Sequence, residues 1–172
     1  MSYNLKDFEN DFVFLLEIKS YLKEYLSKDE SQIDEDVVKK GLYSKLRDGR
    51  PVRIVIPHGF KQLKDISVDN NLYFVGFIGY AKPSHQIPDN LADKIWKIDY
   101  KLIDEFSGHK DILAYVSAER TDGKDWGNLV LLKSMEAIEK WRDCSIHQEA
   151  ITYVYIYIYY LYLVRTKRPF NF

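Results

Sequence analysis

The chain has 172 residues, with 25 Lys and Arg against 26 Asp and Glu and a single cysteine. That length suits one domain, or one domain with an extension, and needs no metal or disulfide staple to hold a core. The net charge of −1 excludes a globally basic nucleic-acid binder, one cysteine excludes an internal disulfide and a zinc site built on cysteines, and 46% hydrophobic with 15% aromatic residues excludes a disordered chain.

The polar, acidic start (MSYNLKDFEN) is unlike a secretory signal, so a soluble cytoplasmic protein is expected. Over residues 5–26, apolar side chains fall at Phe8, Phe12, Leu15, Leu16, Tyr21, Leu22, Tyr25 and Leu26. These are mostly three or four apart, which predicts a long amphipathic helix. The polar run 27–34 breaks it. Val37, Val38, Leu42, Tyr43 and Leu46 predict a second helix, ended by Asp48-Gly49 and Pro51. Together the two helices make an N-terminal extension over residues 1–50. The β-branched run 52–56 predicts a short strand stopped by Pro57. Residues 61–71 are polar and predict a loop with a turn at Asn70-Asn71. This strand and loop form a connecting segment, 51–71.

From residue 72 the pattern becomes regular. Residues 72–81 (LYFVGFIGYA) predict a strand with apolar residues on both faces. A loop with two prolines leads to a helix capped by Asp89 or Asn90, with the stripe Leu91, Ile95, Ile98, Leu102, Ile103 and Phe106, closed by Gly108. Residues 112–119 and 126–132 predict two strands joined through a turn at Asp122-Gly123. Ser134 opens a short helix carrying Met135, Ile138 and Trp141 on one face, while 144–150 fits neither type. Residues 153–164 predict a long strand. The run ITYVYIYIYYLYLV is too short for a spanning helix, which needs about 20 apolar residues, and its tyrosines and β-branched residues favour a strand. No membrane span is expected.

The order β-α-β-β-α-β is the split βαβ, or ferredoxin-like, arrangement. It predicts an α+β domain over 72–172, a four-stranded antiparallel sheet with both crossover helices on one face. The first strand is apolar on both faces, so the second face needs a cover. Either the N-terminal helices fold over it, giving a three-layered monomer, or a second subunit's sheet closes a barrel across a two-fold axis. The length of the last strand favours the homodimer. The segment NLVLLKSMEAIEKWRDCSIHQEAI (128–151) is an apolar strand, then an aliphatic and aromatic helix, then a histidine near the helix end. It resembles the dimeric α/β-barrel superfamily, which includes antibiotic-biosynthesis-type monooxygenases and stress-response domains. The resemblance spans about 72–164 and implies a homodimer that holds its ligand inside the barrel.

If the hairpin loop spans 120–125, Glu119 lies opposite Trp126, Ser117 opposite Asn128, and Tyr115 opposite Val130, all on one face. Ala114, Val116, Ala118, Gly127, Leu129 and Leu131 fill the other face, expected to pack beneath the crossover helices. In a barrel the first face is interior. Tyr115, Ser117, Trp126 and Asn128 then form a ligand-binding set, and Glu119 is a candidate base. The plainer alternative pairs Glu119 with a nearby cation and leaves Asn128 to satisfy backbone groups. His147 is the second candidate catalytic residue, as a base near neutral pH or an axial haem ligand; a capping or interface histidine at a helix end is the commoner case. Cys144, at a spacing of three, can reach it on a helix, although an inert buried cysteine is the commoner case. His58, His85 and His109 read as turn or loop residues. No two histidines are spaced i, i+4, and no His-Glu-x-x-His run, phosphate loop, dinucleotide fingerprint or nucleophile elbow occurs. A metal is therefore left only to residues converging from distant positions; none is expected, and no cofactor is named.

Three functions stay open. The first is a small-molecule-binding protein of dimeric barrel type, with a metal-independent oxygenase-like activity on a hydrophobic or aromatic substrate. The second is a non-catalytic structural or interaction homodimer, and the third a haem-binding protein acting through His147. An enzyme should have a chamber touched by Tyr115, Trp126 and Asn128; an interaction protein should have that volume filled, by residues 8–26 or by Tyr153, Tyr155, Tyr157 and Tyr159.

Overall fold

The computed structural model describes residues 5–69, 72–81, 91–120, 125–153 and 159–166. The turns expected at Asn70-Asn71 and Asp122-Gly123, the cap at Asp89 or Asn90, and His85, Tyr155 and Tyr157 lie outside them.

The first helix, α1 (Leu5–Leu26), forms as expected, but its buried stripe is rotated from the predicted one. Phe14, Leu15, Ile18, Leu22, Tyr25 and Leu26 are buried, while Leu16 and Val13 face outward. Beyond a short 3-10 turn (Glu30–Gln32) capped by Asp29, the helix α2 covers only Glu35–Lys40. Asp34 caps its start by accepting from the backbone N–H groups of Asp36 and Val37. Gly41, at φ +113°, ends it, because only glycine takes that backbone without strain. The predicted second helix is thereby cut short. Leu42 and Tyr43 begin a strand, β1 (Leu42–Lys45), which turns back through Asp48-Gly49 into β2 (Pro51–Val55). The register pairs Lys45 with Pro51. An Asp-Gly step serves a hairpin as readily as a helix end.

A further difference follows β2. Residues 61–69, expected as loop, belong to the helix α3 (Phe60–Asp69). Its cap is remote: the Glu35 carboxylate on α2 accepts from the N–H groups of Phe60, at 2.9 Å, and Lys61, at 3.2 Å. No local start signal was therefore present to read. The strand β3 (Tyr73–Ala81), the helix α4 (Leu91–Phe106), and the strands β4 (Ile112–Glu119) and β5 (Trp126–Leu132) follow near their predicted places. Next come α5 (Glu136–Arg142), whose cap is Met135 rather than Ser134, and α6 (Ser145–Tyr153), which settles the ambiguous stretch as helix. Among the described residues the last strand, β6, covers Tyr159–Thr166, and Tyr153 lies in α6 rather than in the predicted strand.

The architecture is α+β. Among the described residues, one antiparallel sheet of six strands runs β1-β2-β4-β5-β3-β6. The expectation was four strands; residues 42–55, read as extension and connector, add two more beside β4. Of the two covers that the sequence allows, the structure has α1. Phe14, Leu15, Ile18 and Leu22 share one core with Phe74, Ile78, Ala114, Val116, Ala118, Leu129 and Leu131. That small-residue face was expected under the crossover helices; α1 takes it because glycines open a channel there. A Cβ on Gly76 would meet Leu15 at 2.5 Å, and one on Gly127 would meet Phe14 at 2.5 Å. Each fully buried side chain of this kind contributes about 1.5–3 kcal/mol before the entropy of ordering the helix is set against it. Tyr25 also packs edge-on against Phe60 of α3, at 5.8 Å between ring centroids. The opposite face lies under α4 and α5, where Ile103, Phe106 and Ala137 pack against Tyr73, Val75, Tyr115 and Val130.

A polar anchor also fixes α1. Asp11 is fully buried, and one of its carboxylate oxygens accepts from the Tyr80 hydroxyl and from Arg120, both at 2.5 Å. No helix among the described residues is long and apolar enough to cross a membrane.

Candidate functional site

The β4–β5 register pairs Glu119 with Trp126, Ser117 with Asn128 and Tyr115 with Val130, as the hairpin length implied. Tyr115, Ser117 and Asn128 thus share a face, and they share it with Arg53, which β2 places opposite Ser117. Two of them bond to each other, and Arg53 turns to α4 and β1. The Tyr115 hydroxyl donates to Asn128 Oδ1 at 2.6 Å. Arg53, only 6% exposed, donates to both carboxylate oxygens of Asp99 on α4, at 2.5 and 2.6 Å, and to the Tyr43 hydroxyl at 3.2 Å. Burial works against the charge on Arg53, but the Asp99 carboxylate outweighs it and the net shift is upward. Burial also raises the pKa of Tyr115, with Arg53 opposing. Such a network orders the side chains between sheet and helix. The backbone carbonyl of Glu119 accepts from Arg50 at 2.9 Å.

A second group of residues gathers where α4 ends and α6 begins. Trp141 is its centre. Its ring lies 5.1 Å from Phe106, 4.9 Å from His109 in an edge-on contact, and 5.0 Å from His147. His147 therefore does not stand in the Tyr115 network but behind Trp141. Burial pushes its pKa down, partly offset by the Trp141 backbone carbonyl. Beside it, Glu105, His109 and Cys144 bring one donor atom each to within 4.8 Å of one another. The turn after α4 carries His109 back toward Glu105, to 3.4 Å. Cys144 precedes the first turn of α6, where its carbonyl accepts from the Gln148 N–H at 3.0 Å. His58, read as a turn residue, reaches the same corner: its Nε2 lies 3.2 Å from the His109 carbonyl, which can only accept, so that nitrogen carries the proton.

Two clefts among the described residues lie away from the Tyr115 network. One, of about 230 Å³, is lined by Gly108, His109, Lys110, Asp111, Ile112, Ala137 and Lys140. The other, of about 420 Å³, is shallow and open, between α2 and α3 around Glu35, His58 and Asp65. Sequence reading missed Trp141 as a hub and His109 as a site residue, since both acquire their neighbours only when α4 and α6 meet. The one available signal was the spacing of four between Glu105 and His109.

Comparison with known proteins finds no matching family model, no matching curated protein and no matching solved structure.

Proposed function

We propose that this chain is a non-catalytic interaction module, built on a ferredoxin-like core whose second face is closed by its own N-terminal helix. The order β6-β3-β5-β4 within the sheet, with α4 and the α5–α6 pair on the crossovers, supports the ferredoxin-like reading. The observation that carries the functional reading is the filled interior. Phe14, Leu15 and Ile18 occupy the glycine channel on one side, and Tyr115 with Asn128 closes the other. The barrel seam of a sheet-to-sheet dimer has no free face to use, so a partner meets the outside. There, Tyr43 (61% exposed) accepts from Arg53, and Trp96 (52%) and Tyr100 (61%) are exposed on α4, the helix that carries Asp99. Exposed Trp and Tyr beside a held Arg are the residue types that carry interface energy.

The test is a thermal-shift screen with aromatic and aliphatic small molecules, paired with light scattering at two concentrations. The expected result is no ligand stabilisation and a mass near 20.4 kDa for the isolated chain at both concentrations. Trp96→Ser and Tyr100→Ser should leave the melting temperature almost unchanged, within about 0.5 kcal/mol of stability. A hydrophobic compound that stabilises the native protein, with the effect lost in Asn128→Ala, would overturn the reading in favour of an internal ligand chamber.

A further inference from the structure

The geometry points to a divalent-metal site of zinc type, formed by Glu105, His109 and Cys144 and independent of the interaction reading. Thiolate, imidazole and carboxylate are the donors that zinc takes from proteins, and three of them with a water complete a tetrahedron. Here the three donor atoms lie within 4.8 Å of one another. A tetrahedral zinc with these donors sets them roughly 3.3–3.8 Å apart. The Glu105–His109 pair, at 3.4 Å, is already at that spacing, and the thiol needs to close by only about 1 Å.

An ion pair between Glu105 and His109 explains two of the three groups. It does not explain why the single cysteine of the chain is brought to the same point from the junction between α5 and α6. The backbone of each donor is held. Trp141 packs edge-on to the His109 ring, and His58 meets the His109 carbonyl at 3.2 Å. The Cys144 N–H donates to the Trp141 carbonyl at 3.1 Å. Such outer contacts orient metal ligands. None of the three donor residues is buried, so an ion can enter, and His109 also lines the 230 Å³ cleft. The cations facing that cleft are Lys110 and Lys140, and Lys140 is engaged by Asp111 at 3.4 Å. Two anionic donors and one neutral donor balance the charge of the ion, and the thiol gives up its proton on binding. The site would clamp the end of α4 to the start of α6.

The experiment is a titration of the untagged, reduced full chain with Co²⁺, followed by Zn²⁺ competition. The expected result is a sulfur-to-cobalt charge-transfer band that saturates at one ion per chain, is displaced by Zn²⁺, and accompanies a rise of several degrees in melting temperature. Cys144→Ser should abolish the band. His109→Ala and Glu105→Gln should each weaken Zn²⁺ binding by about tenfold or more, while His147→Ala should leave the band in place. No band in the wild-type chain, or a band that survives Cys144→Ser, overturns the proposal. The wild-type titration decides the matter even where a variant fails to fold, and neither outcome depends on the interaction surface around Trp96.

Discussion

Among single residues, His147 shows how position converts into a measurable property. Among the described residues its Nδ1 is enclosed without a hydrogen-bond partner, and burial lowers its pKa below the ordinary value of 6.5. Between the unfolded value and that lowered folded value, the unfolded chain binds more protons, so stability rises with pH across the window and is lost as pH falls through it. The thermal midpoint should therefore drop as pH falls below the ordinary histidine value of 6.5, and drop less in His147→Gln. Parallel pH profiles for the two proteins would refute this. Asp11 is the contrasting case. It is buried, but it meets Tyr80 and Arg120 there, and removing one partner of a buried pair generally costs about 3–5 kcal/mol because the other charge is left uncompensated. The sequence offered no reason to select Asp11: it is one acid among many on a helix, and both partners lie far along the chain.

At the scale of elements, the seating of α1 on the sheet depends on what is absent from β3 and β5. Gly76 and Gly127 let Leu15, Phe14 and Ile18 approach where any side chain would collide. Gly127→Val should lose about 1–3 kcal/mol through overpacking, read as a lower denaturant midpoint. A midpoint equal to wild type would show that α1 does not seat there. Helices and strands with a regular apolar period were legible in advance: α1, α4, β3, β4, β5 and the β4–β5 register. The failures share a cause. For α3 the cap came from Glu35 on another helix, and for β1 the Asp-Gly step had two local uses, of which tertiary pairing with β2 chose one.

On the scale of the whole molecule, α1 is the second wall of the core rather than an appendage. Removing residues 1–26 should uncover Phe74, Ile78, Ala114, Val116, Leu129 and Leu131 together. An apolar face of that extent drives association, so the truncated chain should bind a hydrophobic dye and self-associate. A truncated chain that stays monomeric, with an unchanged circular-dichroism spectrum and no dye binding, would count against the layered account.

The candidate sites divide along the same line. The grouping of Tyr115, Ser117 and Asn128 on one face follows from alternation along two strands and the length of one turn, so the sequence determines it. Which layer covers that face does not follow from alternation: a strand pattern distinguishes its two sides without saying what each will meet. That choice, like the meeting of Glu105, His109 and Cys144 at one corner, was decided by the tertiary structure, where helices distant in sequence are brought together by the surfaces they bury.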